Sequence, residues 1–316
     1  MTSAISRRNL LRAGLPALAP TTPCASGDAA ISKNVKIGFV TNGFRDYSNA
    51  ALAKEFQAAG IRRIQLFLTQ TDSNYWKYNN RSDLTSLTPR RCQEIAGIYR
   101  SAGISIHSLG VYANLIHPDA AERNQQLAYF EAMMKVGQAM GVRRLVTEAG
   151  HYFEANRPAQ QVPYDWQEGV WHSMVSTCKE LARRAEANDS IVLFEPFFLG
   201  LLSTARRTKL LLEEANSPQL RINLDPANLI EVNDLEEMFG QLQSRIESFH
   251  AKDRKLHIAR GVPAGEGDVD YVSLLRLAAA RVPDAPLFLE YADSKTRRAA
   301  LAYVRNAIHQ AGLREV

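Results

Sequence analysis

From Val35 onward the chain alternates short, continuous apolar runs with longer amphipathic stretches. The apolar runs are Val35–Val40, Arg63–Leu68, Ile104–Leu109, Arg144–Thr147, Ile191–Phe194, Arg221–Leu224, Ser248–Ala251 and Leu287–Tyr291. Each is rich in β-branched or aromatic residues and is followed by a loop, which predicts buried strands. Helical periodicity fills the intervals, at Asn49–Ala59, Pro89–Ala102, Ala121–Met140, Asp165–Ala187, Ala205–Ala215, Leu235–Leu242, Tyr271–Ala280 and Lys295–Ala311. Gly60, Gly103 and Gly141 supply helix stops, and Thr88-Pro89 a cap and first turn. Eight strand–helix units of roughly 35 residues predict an α/β fold, a single-domain (β/α)8 TIM barrel over residues 31–316. The rival is a doubly wound open sheet. It would place a Gly-rich nucleotide turn after the first strand, and Thr41-Asn42-Gly43-Phe44 does not supply one.

The loops are uneven. Those after the second, third and fourth strands, Thr69–Leu87, Gly110–Ala120 and Gly150–Tyr164, are long and rich in Asn, Tyr, Trp and His. They follow strand C-termini, the end of a barrel where active sites lie, and predict a polar pocket with an aromatic rim. Tyr112, Trp76 and Trp166 are candidates for an apolar wall against a sugar ring, or for core cover.

Composition narrows the class. With 316 residues, 46% hydrophobic and 22% charged, the chain is neither disordered, collagen-like nor a coiled coil. The net charge is +5, of which Arg7, Arg8 and Arg12 against Asp28 place +2 in the first 30 residues. No concentrated basic patch remains for nucleic acid. Three cysteines make no disulfide framework, and Cys92 and Cys178 fall in predicted helices as buried free thiols.

The leader, residues 1–30, has a basic start at Ser6-Arg7-Arg8-Asn9-Leu10-Leu11-Arg12, a short apolar middle and a Pro/Thr/Ser-rich end. That layout is an export signal, and it resembles a twin-arginine signal, which carries folded proteins. The expectation is an exported, periplasmic protein. The apolar run is too short to span a bilayer, so no stable membrane insertion is expected. Thr21-Thr22-Pro23 before Cys24 lacks the residues of a lipid-anchor site.

Polar residues end the last four strands: Glu195 before Pro196, Asp225 before Pro226, His250 in Phe249-His250-Ala251-Lys252-Asp253, and Glu290 in Leu289-Glu290-Tyr291. If the two-residue alternation holds, all four point into the barrel mouth and ring one point. Three converging carboxylates repel strongly unless a cation lies between them. Three carboxylates and an imidazole suit one divalent ion, Mn2+ first, then Mg2+, Co2+ or Zn2+, leaving the site near a charge of minus one. Each residue alone has a plainer reading: Asp225 as a helix cap, Glu195 as a loop residue, His250 as a hydrogen-bonded core histidine. The joint, ordered occurrence favours the site. A second set, Asn114, His117, Glu148 with His151, and Lys252, is read as substrate-binding. The plainer readings are Asp119 as a helix cap, Lys252 as a solvated charge and His107 as a packed barrel residue.

At these residues the chain resembles the xylose isomerase-like barrel superfamily of sugar isomerases, epimerases, some dehydratases and endonuclease IV. The resemblance runs from Val35 to about Ala311. The family's metal ligands are Glu, Asp, His and Glu from strands five to eight, matching Glu195, Asp225, His250 and Glu290. Gly265-Glu266-Gly267-Asp268-Val269-Asp270 looks like its Gly-x-Gly-x-x-Asp loop. Many members carry a second His three residues after the strand-six Asp. Here Asn228 stands there and joins the substrate-binding candidates, which argues against an endonuclease IV-like trinuclear site and weakens assignment to the ketose 3-epimerases.

What the resemblance implies is a metal-dependent sugar or keto-sugar isomerase or epimerase working through an enediolate, with Glu195 and Glu290 as base and acid. The alternative is an exported keto-glycoside lyase or dehydratase that begins with the same proton abstraction. A non-catalytic sugar-binding barrel is the third reading. A small sugar is the expected partner, and a homo-oligomer is left open.

Overall fold

The computed structural model describes residues 34–151 and 162–316. The predicted leader, Cys24 included, lies outside the described residues, as does most of the loop after the fourth strand.

Eight parallel strands follow one another round a ring: β1 (Ile37–Val40), β2 (Arg63–Leu66), β3 (Ser105–Gly110), β4 (Arg144–Thr147), β5 (Ile191–Phe194), β6 (Leu220–Leu224), β7 (Ile246–Asp253) and β8 (Leu287–Leu289). β8 closes it, since Phe288 pairs with His250 of β7 on one side and Gly38 of β1 on the other. Parallel neighbours need a crossover, and each strand has one. The helices are α1 (Asn49–Ala58), α2 (Pro89–Ser101), α3 (Ala120–Met140), α4 (Glu168–Ala187), α5 (Ala205–Ala215), α6 (Leu235–Leu242), α7 (Tyr271–Arg281) and α8 (Arg297–Gln310). The architecture is the predicted (β/α)8 barrel. Among the described residues no helix is long and apolar enough to cross a membrane.

Both faces of each strand are buried, which is why the strands read as continuous apolar runs. Leu145, Phe194 and Leu289 join the layer between barrel and helices, while Val146, Leu193 and Phe288 fall in a smaller cluster with Val40, Phe67 and Tyr112. The same alternation brings Glu195, two residues after Leu193, and Glu290, two after Phe288, to the inner face. The interior also holds polar pairs: Gln65 donates to Ser108 at 3.1 Å and Ser248 to Asn223 at 2.6 Å.

Caps agree with the predicted helix ends. Thr88 accepts from the Arg91 N–H, Asp119 from the Ala121 N–H, and Gly60, Gly103 and Gly141 all have positive φ. Several boundaries differ for local reasons. The second strand stops at Leu66 because the Phe67 N–H turns to the Thr41 hydroxyl at 2.8 Å. β8 stops at Leu289, and Tyr291 adopts φ 57°. The fourth helix begins at Glu168, after a separate 3-10 turn at Pro163–Trp166. Asn34–Val35 leaves β1 to pair with Arg314–Glu315, joining the two ends of the barrel. Cys92 and Cys178 are buried free thiols, as expected.

Candidate metal centre

Glu195, Asp225, His250 and Glu290 come together. One ligand atom from each lies within 4.8 Å of all the others, and all four residues are buried. His250 Nδ1 is 3.3 Å from Glu195 Oε1, 3.6 Å from Glu290 Oε2 and 3.9 Å from Asp225 Oδ2. The protein holds the rest of each side chain. Asp225 Oδ1 accepts from the Ala227 N–H at 2.9 Å, capping the short turn that Pro226 begins, while its Oδ2 faces the quartet. Glu195 Oε1 accepts from Asn228 Nδ2 at 2.8 Å, and its Oε2 accepts from the Tyr112 hydroxyl. His250 Nε2 donates to Gln65 Oε1 at 2.6 Å, which directs the Nδ1 lone pair at the carboxylates. Of the remaining atoms, His250 Nδ1 and Glu290 Oε2 are buried without a hydrogen-bond partner, and Asp225 Oδ2 has only the Lys252 ammonium, 2.8 Å away. Orphaned acceptors converging on one point are the donor set a cation completes, and the residues fit one divalent ion.

Lys252 lies beside the cluster and is buried, which replaces the reading of a solvated charge. Alternation from His250 turns it inward, with Nζ 2.8 Å from Asp225 Oδ2, 3.4 Å from Glu290 Oε2 and 3.9 Å from Glu195 Oε1. Three carboxylates, one ammonium and a neutral imidazole carry two negative charges, so a divalent ion brings the centre to neutrality. The sequence-based figure of minus one omitted the ammonium.

Without an ion the cluster is under electrostatic load. Burial works against the Glu195 anion, but His250, Lys252 and Tyr112 outweigh it and hold the carboxyl down at about 2. Burial, with Glu195 and Glu290 adding repulsion, lifts Asp225 to about 7 against the pull of Lys252. Burial also disfavours the charged His250, yet the carboxylates of Glu195 and Glu290 raise it to about 9. Replacing Gln65 by Leu is expected to leave the fold intact and weaken metal binding by about 10- to 100-fold, because His250 loses the partner that orients it. Metal titration of the purified variant measures this.

Glu195 and Glu290 of the cluster line a cavity of about 710 Å3 whose lining also includes Phe67, Trp76, Tyr78, Tyr112, Phe197 and Tyr291. Trp76 and Tyr112 therefore stand where an apolar wall was expected. Trp166 does not: it is exposed and stacks on Arg207. Glu148, Asn228 and Lys252 line the cavity; Asn114 and His117 do not. Asn114 Nδ2 donates to the His151 carbonyl at 3.1 Å, behind the wall, and His117 Nδ1 accepts from the Asp119 N–H at the start of α3. Glu148 Oε2 is bridged by His151 Nε2 at 2.5 Å and by the Tyr78 hydroxyl at 2.8 Å. His107 packs on Phe288 at a centroid distance of 5.0 Å, and burial lowers it to about 3, as suits a packed barrel residue. The glycine loop folds over Asp253, whose carboxylate accepts the N–H groups of Gly265 and Val269, each at 3.0 Å. A Cβ at Gly267 would lie 2.3 Å from Asp253 Oδ1, so only glycine fits there.

Sequence reading missed Gln65, Tyr78, Arg254 and the hydroxyl role of Tyr112. A further cavity of about 650 Å3 includes Lys36, Arg63, His107 and Arg144 in its lining. Lys36 there pairs with Asp284 and Arg144 with Glu247.

A family model described as xylose isomerase-like TIM barrel matches residues 53–310, most of the chain. The chain belongs to that family. Solved structures with the family's fold include the probable 3-DHS dehydratase AsbF of Bacillus anthracis, 18% identical, with a TM-score of 0.66 over 86% of this chain and 98% of that one. The 3-keto-D-glucoside 4-epimerase YcjR of E. coli is 15% identical, with a TM-score of 0.66 over 86% and 99%. The IOLI protein with a bound zinc atom is 16% identical, with a TM-score of 0.67 over 88% and 98%. At these identities the likeness is one of fold. No curated protein matches the chain in sequence. Family membership and the buried acidic and histidine quartet together define a barrel suited to one metal ion.

Proposed function

We propose that this chain is a divalent-metal-dependent isomerase or epimerase of a sugar or keto-sugar, working through an enediolate, with Mn2+ the first choice of ion. The observation that carries the reading is the convergence of buried Glu195, Asp225, His250 and Glu290, two of which, Glu195 and Glu290, line an aromatic-walled cavity. Glu195, Asp225, His250 and Glu290 would hold the ion, which supplies Lewis acidity toward a carbonyl oxygen.

The chain's own residues do the rest. Glu195 and Glu290 stand three strands apart round the ring and reach the cavity from different sides. One takes the proton from the carbon beside the carbonyl and the other returns it, from the opposite face in an epimerisation. Tyr112 and Asn228 fix the Glu195 carboxylate in place. The Lys252 ammonium balances negative charge as it develops on the substrate oxygens. Trp76 and Tyr112 cover the apolar face of the sugar, and Tyr78, packed against both rings, with Glu148 offers polar contacts beside them.

A lyase or dehydratase reading rests on the same first step and on Lys252, a buried ammonium placed to protonate a leaving group. The fold's use by both an epimerase and a dehydratase supports keeping both. Solvent-deuterium incorporation across free and oxidised sugars tests the shared step, and the products separate the two. An isomer supports the first reading; an unsaturated product with released water or aglycone supports the second. No incorporation and no product would overturn both.

We also propose export by the twin-arginine route, on the basis of Arg7-Arg8 and the layout that follows. Replacing both arginines by lysine is expected to abolish periplasmic accumulation in cell fractionation. Unchanged export would remove the proposal.

A further inference from the structure

Arg254 is the largest fully buried side chain among the described residues, 1% exposed, and it lines the same cavity as Glu195 and Glu290. Its guanidinium is held on two sides. Nε donates to the Ala227 carbonyl at 2.8 Å, and the plane lies over the Phe198 ring at 3.9 Å. Neither Nη1 nor Nη2 has a hydrogen-bond partner, and the nearest carboxylate, Glu231 Oε1, stands 3.8 Å from Nη1, beyond hydrogen-bond reach. A buried cation with two unanswered nitrogens is costly, and structures retain such groups where something else supplies the acceptor.

The surroundings indicate what that is. Arg45 and Arg260 line the same cavity, and neither forms an ion pair among the described residues. Arg45 lies over Trp76 at 5.7 Å. The cavity's acidic residues are already engaged: Glu195 and Glu290 at the metal centre, and Glu148 with Tyr78 and His151. Arg45 and Arg260 thus bring to this cavity two cations with no ion pair among the described residues, and Arg254 brings a third whose one carboxylate neighbour, Glu231, lies beyond hydrogen-bond reach. A planar fork with two free nitrogens matches a carboxylate, which accepts two parallel N–H bonds.

We infer that the substrate carries a carboxylate, seated on the Nη1 and Nη2 atoms of Arg254 and drawn in by Arg45 and Arg260. The substrate class is then a sugar acid or a keto-acid derivative of one, an inference that rests on the proposed reading of the cavity as a sugar site. Arg254 acts here as the specificity-determining residue.

The test is calorimetric binding to Mn2+-loaded protein. D-glucuronate, D-galacturonate and D-mannuronate are each compared with the parent hexose, and D-glucose 6-phosphate forms a further arm. At least one uronate is expected to bind tenfold or more tightly than its parent, and Arg254→Met is expected to erase the difference while metal content is retained. Equal binding within every pair, or binding by none, overturns the inference. So does a preference for the phosphate ester over all the acids, or an acid preference that survives Arg254→Met. Should Arg254→Met fail to fold, the wild-type comparison still decides, and Arg260→Gln is expected to weaken uronate binding by a larger factor than hexose binding; an equal effect on both counts against the inference. Binding is read apart from turnover. An acid preference without deuterium exchange supports the carboxylate site and removes the proposed reaction; exchange without an acid preference overturns the site alone.

Discussion

Glu290→Gln and Glu195→Gln are each expected to lower kcat by about 10^2- to 10^4-fold, the usual contribution of a group that moves a proton in the transition state. Glutamine preserves shape and one carbonyl oxygen but neither takes up a proton at neutral pH nor carries charge. Both residues are buried, so the swap adds an amide whose N–H2 group needs an acceptor. At position 195 the amide also faces donors, since Tyr112 and Asn228 already point at the two oxygens. Glu195→Gln is therefore expected to be the less stable of the two. Circular dichroism and metal content separate a lost proton transfer from a lost fold or ion. Deuterium exchange into the substrate should fall in parallel with turnover. Near wild-type turnover in both variants would remove the proposed roles.

Stripping the ion with a chelator is expected to abolish activity and lower Tm, and the Tm difference should grow with pH. In the ion-free barrel Asp225, raised to about 7, and His250, raised to about 9, bind protons more tightly folded than unfolded. Their contributions are complete below the ordinary values of 3.8 and 6.5 and are lost as pH rises through about 7 and about 9. Glu195, lowered to about 2, acts in the other sense: its contribution is present above 4.5 and is lost only as pH falls toward 2. Ion-free stability should thus decline between about pH 4 and 9, through Asp225 first and His250 after it. Ion binding needs deprotonated ligands and strengthens over the same interval. With free Mn2+ at about a hundred times its Kd, the loaded protein gains about 2.7 kcal/mol, or roughly 5 to 10 °C. Thermal melts at three pH values, with and without chelator, measure the trend. A Tm indifferent to metal throughout would argue against the centre.

The barrel and its quartet were legible because both follow from local pattern. A parallel strand buried on both faces is apolar along most of its length, and a charged residue such as Glu195 or Glu290 just after it marks the point where the chain reaches the mouth. The supports of the quartet were not legible. Gln65 reaches His250 across 185 residues and Tyr112 reaches Glu195 across 83, contacts created by ring closure alone. Trp76 and Trp166 look equivalent as loop aromatics; only the loop path puts one in the cavity and the other against Arg207. Lys252 was legible as a substrate-binding candidate but not as a partner of the quartet, because its counter-charges follow β5, β6 and β8, each distant in sequence. Arg254 gave no signal beyond one more basic residue, since what marks it is the absence of a partner.

Closure of the ring by β8 has a consequence for how the protein matures. Glu290 follows the last barrel strand to be synthesised, so a growing chain on the ribosome holds three ligands in no fixed arrangement until that strand has emerged and docked. An ion that needs all four residues would then be bound only by the finished barrel, after translation rather than during it.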